Sequence, residues 1–228
     1  MRMIDNMKFI VDDKVKDLGI KILGLKIEGV DNNTTNLEFE KWRENKIKEL
    51  IKKYKDYDIK NDKVIEGFYE LHQEVGVPRR KNLPASENLI KLLIKREDLV
   101  HINKAVDIYN IISIDSKLCL GAHDIDKVSG NVYLKITDGS ENFIPLGSEE
   151  SETIENGEYS FVDDDNDVIC WLDIRQVDKT KVTENSNNIL YLIIGNKENT
   201  YEELEKVANE IIKITTRYCG GRATILKS

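Results

Sequence analysis

The hydrophobic periodicity of the chain changes character near Gly130. From about residue 37 up to that point, apolar residues recur at the spacing of amphipathic helices. Beyond it they alternate with polar residues, as in segment 132–136, which is the period of a strand with one buried face. The segment 200–218 returns to a strongly helical period. Helices, then strands, then a helix predict an α+β fold.

The same pattern predicts individual elements. Asn103 and Ser86 are expected to be helix N-caps, because short polar side chains accept hydrogen bonds from the first turn. The other helices are expected at about 37–57, 62–75 and 200–218. Strands are expected at two places within 8–30 and at 132–136, 141–146, 158–162, 168–174, 189–194 and 223–226.

No repeat or linker interrupts the pattern, so a single domain over residues 1–228 is predicted. Residues 1–60 are expected to form an N-terminal extension packed on it. The strands between Val132 and Ile194 are expected to present their inner faces to the last helix.

The charge of the chain limits its contact with nucleic acid. It carries 34 Lys and Arg against 42 Asp and Glu, a formal net charge of −8. Phosphate neutralisation drives indiscriminate nucleic-acid binding, so such a protein should be basic. We therefore expect no DNA partner, and any RNA contact should be a local patch. The candidates are Arg79, Arg80 and Lys81 in one loop, together with Arg96, because a guanidinium group matches phosphate oxygens.

The cysteines and the apolar runs indicate a cytoplasmic protein without a membrane segment. Three cysteines, Cys119, Cys170 and Cys219, are odd in number and form no C-x-x-C pair, which favours reduced thiols. The longest clean apolar run, residues 189–194, is far shorter than the roughly 20 residues that span a bilayer. No signal peptide is recognisable at the beginning of the sequence.

No motif predicts a metal or a cofactor. The loop 163–167 has the D-x-D-x-D spacing of a calcium site, but Val168 and Ile174 stand where that site needs glycine and glutamate. A hairpin turn is the expected alternative. The histidines lack the spacing of zinc ligands, and no glycine-rich phosphate loop is present.

A polar cluster follows an apolar helical run in VDIYNIISIDSKLCLGAHDIDKVSG, residues 106–130. It contains Asn110, Gly121, His123 and Asp124. This segment is either a turn between two elements or the wall of a pocket. We expect these four residues to line one concave site.

This segment resembles the B3/B4 domain of the β subunit of bacterial phenylalanyl-tRNA synthetase, where the pattern is roughly VDITN followed by GQPxHAFDLDKLxG. Two further stretches are similar to free-standing B3/B4 proteins: GVPRRKNLPASENLI at 76–90 and YCGG at 218–221. The resemblance implies a three-layer β/β/α fold. It also implies an editing site, which in the synthetase hydrolyses tyrosine wrongly esterified to tRNA(Phe).

The resemblance carries over only in part at the level of residues. The threonine and asparagine of the family motif fall on Tyr109 and Asn110. The histidine falls on Gly121 and the phenylalanine on His123, so a histidine is present but displaced by two residues. The pocket glutamate falls near Leu192.

Two functions follow as hypotheses. In the first, the chain is a free-standing hydrolase that deacylates a mischarged aminoacyl-tRNA, a transient partner. His123 is then the general base and Asn110 orients the substrate. The substrate-binding residues are Tyr109, Gly121, Asp124, Arg175 and Gln176. In the second, the chain is a non-catalytic module that binds RNA or an amino acid. The chain lacks the motifs needed to charge a tRNA.

Overall fold

A computed structural model describes residues 7–34, 36–80 and 82–226 of the chain. The elements, in chain order, are β1 (Phe9–Val11), α1 (Asp13–Asp17), β2 (Lys21–Glu28), α2 (Leu37–Tyr54), α3 (Lys63–Glu74), α4 (Ala85–Arg96), α5 (Lys104–Ser116), β3 (Cys119–Asp124), β4 (Val132–Ile136), β5 (Tyr159–Val162), β6 (Val168–Trp171), β7 (Arg175–Gln176), β8 (Asn188–Gly195), α6 (Tyr201–Cys219) and β9 (Arg222–Leu226).

The strands form two sheets. One has five strands in the order β1-β4-β5-β6-β7, in which β1 and β4 are parallel and the other pairs are antiparallel. The other is antiparallel and has four strands in the order β3-β8-β2-β9. Strands β3 and β7 are therefore edge strands of their respective sheets.

Strand β8 has both faces buried. Ile189, Tyr191 and Ile193 pack with the helices, and the alternate residues 190, 192 and 194 pack toward the five-stranded sheet. A strand covered on both faces reads as a continuous apolar run rather than an alternating one. This explains the uninterrupted apolar stretch 189–194.

Helices α2, α5 and α6 cover the other face of the four-stranded sheet. Asn103 caps α5, because its side chain accepts from the backbone N–H of Val106 at 3.0 Å. Thr200 and Glu203 form a capping box at the start of α6, which ends at Gly220 with φ 69°. The layers are thus sheet, sheet and helix, and the predicted α+β, three-layer β/β/α fold is confirmed. Among the described helices, none combines the length and apolarity needed to cross a membrane.

A buried ion pair ties α5 to α2. The Nε of Arg43 donates to Oδ2 of Asp107 at 2.6 Å, and both side chains are buried. The same guanidinium donates to the carbonyl of Leu99 at 2.5 Å, and His101 Nδ1 donates to Asp107 Oδ2 at 2.6 Å. This network fixes the beginning of α5, the helix that carries Tyr109 and Asn110.

Four sequence expectations need correction. Helix α6 packs on the four-stranded sheet, so of the strands between residues 132 and 194 only β8 lies against it. Strand β3 was not predicted. Segment 141–146 makes isolated bridges instead of a regular strand. Ser86 lies inside α4, whose N-cap position is held by Pro84, and its buried hydroxyl faces Cys119.

The ion pair between α2 and α5 gives a test of the helical layer. Asp107→Asn should lower the free energy of unfolding by about 3 kcal/mol, because it leaves the buried guanidinium of Arg43 with only the exposed carboxylate of Asp98, 3.9 Å away, as a counter-charge. Asp115→Asn on the same helix is the matched control. Its partner Lys53 also lies on α2, but both side chains are about 40% exposed (42% and 41%), so this pair should contribute under about 1 kcal/mol. Urea unfolding measures both variants, and equal losses would contradict the assignment.

Candidate functional site

A cleft of about 220 Å³ lies where the edge strands β3 and β7 approach each other. Its apolar lining comes from α4 and the residue Leu83 before it, from β3 and β8, and from Leu146, Cys170 and Ile174. The polar residues bordering it are Asn88, Tyr109, Asn110 and Gln176, together with Asp173, whose side chain is fully buried. An apolar pocket with a few convergent polar groups is the usual form of a small-ligand site.

Helix α5 supplies Tyr109 and Asn110 as consecutive residues. The Tyr109 ring packs edge-on against Tyr191, with centroids 6.3 Å apart. Burial raises the pKa of Tyr109 to about 12, although the nearby Gln176 amide opposes this, so the phenol is neutral. The half-buried Asn110 amide has no side-chain hydrogen bond to any described residue. Asn110 is therefore free to bind a ligand.

Gly121 makes room for Gln176. A Cβ at Gly121 would lie 3.0 Å from Gln176 Nε2, so even an alanine would push that amide aside. The register pairs Gly121 with Leu192 on β8. The sequence resemblance leads one to expect a histidine at Gly121 and a glutamate near Leu192, and neither of these paired positions carries a polar side chain.

His123 lies two residues farther along β3 and is fully buried. Its Nδ1 bonds Thr180 Oγ1 at 2.9 Å, and its Nε2 has no hydrogen-bond partner among the described residues. That nitrogen lies 3.6 Å from where a Gly121 Cβ would be. Burial lowers the pKa of His123 to about 3. A general base works best with a pKa near the operating pH, so the structure does not support this role for His123.

Two predicted substrate-binding residues lie elsewhere. Asp124 is on the opposite face of β3 from His123, because side chains alternate along a strand, and it accepts from the Ser186 hydroxyl at 2.6 Å. Arg175 binds both carboxylate oxygens of Glu152, at 2.6 and 2.8 Å, and stacks on the Phe143 ring. Neither side chain lines the cleft, and His123 does not line it either, so of the four residues expected to share one concave site only Asn110 and Gly121 do. Of the residues predicted to bind substrate, Tyr109, Gly121 and Gln176 do line it.

Asp173 was not predicted from the sequence as a site residue. It sits in the turn between β6 and β7, and its Oδ1 accepts from His72 Nε2 at 2.5 Å and from the Tyr159 hydroxyl at 2.8 Å. Burial raises the pKa of Asp173, but the attraction and hydrogen bond of His72, and to a lesser degree Cys119 and Tyr159, outweigh it. The net result is a lowered pKa, so the group stays a carboxylate. His72 precedes it by 101 residues, and no sequence spacing could link the two.

Cys119 lies behind this carboxylate, with its Sγ 3.5 Å from the Ser86 hydroxyl. Burial raises the pKa of the thiol well above its ordinary value. The nucleophilic form of cysteine is the thiolate, so this environment is that of an inert structural thiol.

The residues predicted to bind phosphate differ in whether their side chains already have partners in the protein. Arg79 pairs with Glu66 at 2.9 Å and stacks on the Tyr69 ring, 3.9 Å from its centroid. Arg80 and Arg96 are exposed. Lys81 falls outside the described residues. Arg80 lies three residues before Leu83, which lines the cleft.

The acidic loop 163–167 forms the turn between β5 and β6. Oδ1 of Asp163 accepts from the backbone of Asp165 and Asp167. The ammonium of Lys179 bridges Asp163 and Asp167 at 2.9 and 2.6 Å. These contacts are those of a capped turn neutralised by a lysine.

Comparisons with known proteins assign the chain to a family. The crystal structure of an N-terminal fragment of the phenylalanyl-tRNA synthetase β subunit from Pyrococcus horikoshii is similar, with a TM-score of 0.53 and 15% identity. The similarity covers 96% of this chain and 50% of that one, so the chain spans half the length of the fragment and shares its fold. A search of curated protein sequences finds no match. A family model described as the B3/4 domain matches residues 76–220, which is more than half of the chain. The chain therefore belongs to the B3/4 domain family.

Proposed function

We propose that this B3/4 domain protein hydrolyses the ester bond of a mischarged aminoacyl-tRNA, acting as a free-standing editing enzyme in the cytoplasm. The observation that carries the proposal is the cleft between β3 and β7, a mostly apolar pocket bordered by the side-chain amides of Asn110 and Gln176 and by the Tyr109 phenol. The sequence resemblance implies an editing role for the corresponding region of the synthetase domain.

The proposed reaction consumes only water. The oxygen of a bound water attacks the ester carbonyl carbon, and the bond between that carbon and the ribose oxygen breaks. One proton of the water goes to the ribose oxygen, which leaves as the terminal hydroxyl of the tRNA. The other proton passes to solvent, and the amino acid leaves as its carboxylate. Because an aminoacyl ester is already activated, holding the water and the carbonyl in register supplies much of the rate.

The cleft residues fit this task of positioning. The Asn110 and Gln176 amides each offer a donor and an acceptor, so they can hold a carbonyl oxygen and a water together. Tyr109, with its pKa at about 12, adds a neutral phenol. His123 is neutral at physiological pH and contributes packing beneath Gly121 rather than a charge.

The exposed arginines are the proposed contacts for the tRNA backbone. Arg80 and Arg96 lie at the two ends of the segment that contains α4, the helix that lines the cleft. With a formal net charge of −8 on the whole chain, such a contact is weak and transient.

A second function has one observation in its favour. With its pKa lowered to about 3, His123 is poorly suited to act as a general base near neutrality. A cleft of this kind also suits a non-catalytic module that binds an aminoacyl group without cleaving it. Incubation with a panel of aminoacyl-tRNAs separates the two: deacylation above background supports the enzyme, and binding without deacylation supports the module.

Asn110→Ala should lower the deacylation rate constant by about 10²-fold, because a substrate group misplaced by about an ångström costs a factor of that order. Asn209→Ala is the matched control, since it is an exposed asparagine within α6 on the helical layer. Single-turnover deacylation measures both. Equal rates for the two variants would remove Asn110 from the mechanism.

His123→Gln should leave the deacylation rate within a few-fold of the wild type, whereas loss of a general base costs on the order of 10²–10⁴-fold. A loss of that size would reinstate His123 as the base.

The same variant should make the fold less sensitive to acid. In the unfolded chain His123 takes up a proton below its ordinary pKa of 6.5, but in the folded chain only near 3. Its contribution to stability is therefore complete above pH 6.5 and is lost as the pH falls. Between pH 7 and 5 the wild type should lose about 2 kcal/mol through this group, and His123→Gln should not. Urea unfolding at pH 5, 7 and 8 measures this, with pH 8 giving the pH-independent effect of the substitution. Parallel losses in the two proteins would contradict the low pKa.

Arg80→Ala should raise the Michaelis constant for aminoacyl-tRNA and reduce the slope of log affinity against log salt by about 1, because one phosphate contact is removed. Arg222→Ala is the control. It removes an exposed arginine on β9, at the edge of the four-stranded sheet opposite β3. If both variants change the slope equally, the contact is not at Arg80.

A further inference from the structure

The positive charge of the chain is concentrated in one part of the sequence. Residues 41–96 contain 15 Lys and Arg against 9 Asp and Glu, whereas the rest of the chain contains 19 against 33. A basic stretch thus lies within a protein whose formal net charge is −8. Salt screens exposed charges from one another beyond about 10 Å, so a local basic surface can bind an anionic partner although the whole chain is acidic.

Helix α2 carries a part of this charge that has no partner in the protein. Three exposed lysines recur at i, i+4 and i+7 and form one row on its surface: Lys48, Lys52 and Lys55. The acidic residues nearest to this row by helical spacing, Glu44 and Asp56, form no ion pair with it. On the other flank of the helix, Lys53 is paired with Asp115 of α5 at 2.6 Å. Among the described residues, the α2 lysine row is therefore left without a counter-charge in contact with it.

Helix α4 connects the α2 lysine row to the cleft. Leu89 of α4 lines the cleft, and Leu93 of the same helix belongs to one apolar cluster with Ile51 of α2. Ile51 is three residues after the first lysine of the row and four before the last, so the row borders this cluster on the surface of α2. A helix with its side chains is about 10 Å across. A partner that enters the cleft therefore reaches the row only if it extends about that far.

An extended chain of phosphates fits this surface better than a single small anion or a membrane. Seven residues of helix rise about 10 Å, so the row presents a line of charge rather than a convergent pocket. A lysine ammonium group binds phosphate as a point charge and needs no fixed geometry. Helices that lie on membranes bury apolar side chains next to their basic ones. No large apolar side chain is exposed between residues 41 and 56.

We propose that the α2 lysine row binds the phosphate backbone of an RNA strand, at nucleotides upstream of the one whose ester enters the cleft. The choice of RNA rests on the proposed function, since the surface by itself specifies only an extended polyanion. This contact is separate from those proposed at Arg80 and Arg96. It gives a role to a helix that lies before residue 76, where the match to the B3/4 family model begins.

The test uses an RNA hairpin that has a single-stranded 3′ end and carries no amino acid, so binding is measured without catalysis. The row variant combines Lys48→Gln, Lys52→Gln and Lys55→Gln, which removes three phosphate contacts. The slope of log affinity against log salt should then fall by about 2–3, and the affinity at about 0.1 M salt should fall at least about tenfold. Fluorescence anisotropy titrations at several salt concentrations measure both quantities.

The matched control removes the same charge from another surface. It combines Lys206→Gln, Lys213→Gln and Arg222→Gln, which take three positive charges from exposed positions on α6 and β9. The control should keep the slope of the wild type. Equal changes in the two triple variants would show that only net charge matters and would overturn the assignment to α2. Two further results would overturn it: a wild-type chain that does not bind the hairpin, or row-dependent binding to phosphatidylserine vesicles that is tighter than binding to RNA.

The outcomes for the two proposals are distinguishable, because the hairpin contains no ester. Hairpin binding that depends on the α2 lysine row, without hydrolysis of any aminoacyl-tRNA, supports the RNA surface and overturns the enzyme. Hydrolysis of aminoacyl-tRNA by the wild type, with the same hairpin affinity and salt slope in the row variant, overturns the RNA surface and leaves the enzyme standing.

Discussion

The burial of β8 on both faces is the constraint on which the rest of the structure depends. Its odd-numbered residues from Ile189 to Ile193 build the core with the helices, and its even-numbered residues build the core between the sheets. Within the four-stranded sheet β8 pairs with β2 on one side and with β3 on the other, and β3 is an edge strand. The cleft exists because this edge and the edge strand β7 of the other sheet meet without a further strand to close them.

The same pairing determines where the polar groups of the cleft come from. Gly121 and Leu192 face each other across β3 and β8, and neither has a polar side chain. The Gln176 amide from β7 occupies the space above Gly121, and His123 is buried beneath. The amides and the phenol that border the cleft are therefore supplied by α4, α5 and β7, and not by β3 or β8.

The sequence predicted features that are encoded locally. The N-cap Asn103, the helical layer and the α+β order depend on residues within one or two turns of each other, and Asn110, Gly121 and Gln176 could be expected to meet through the family resemblance. The segment 119–124 was not recognised as a strand, because all six residues are buried and show no alternation. Asp173 was missed for a different reason. Its importance arises from His72 and Tyr159, on a helix and a strand far apart in the chain, and periodicity carries no information about such contacts.

The balance of forces at Asp173 bears directly on how a site without a histidine base could select its substrate. Burial alone would favour the neutral acid, but the donors from His72 and Tyr159 hold the group ionised and saturate one oxygen. The charge is thereby paired inside the core, and the side chain presents no surface to the cleft. What the cleft offers to a ligand is a set of neutral groups: the Asn110 and Gln176 amides and the Tyr109 phenol. Such groups can hold an activated ester and a water in register without a strong base, so selectivity would depend on the shape of the cleft and on hydrogen bonds rather than on charge.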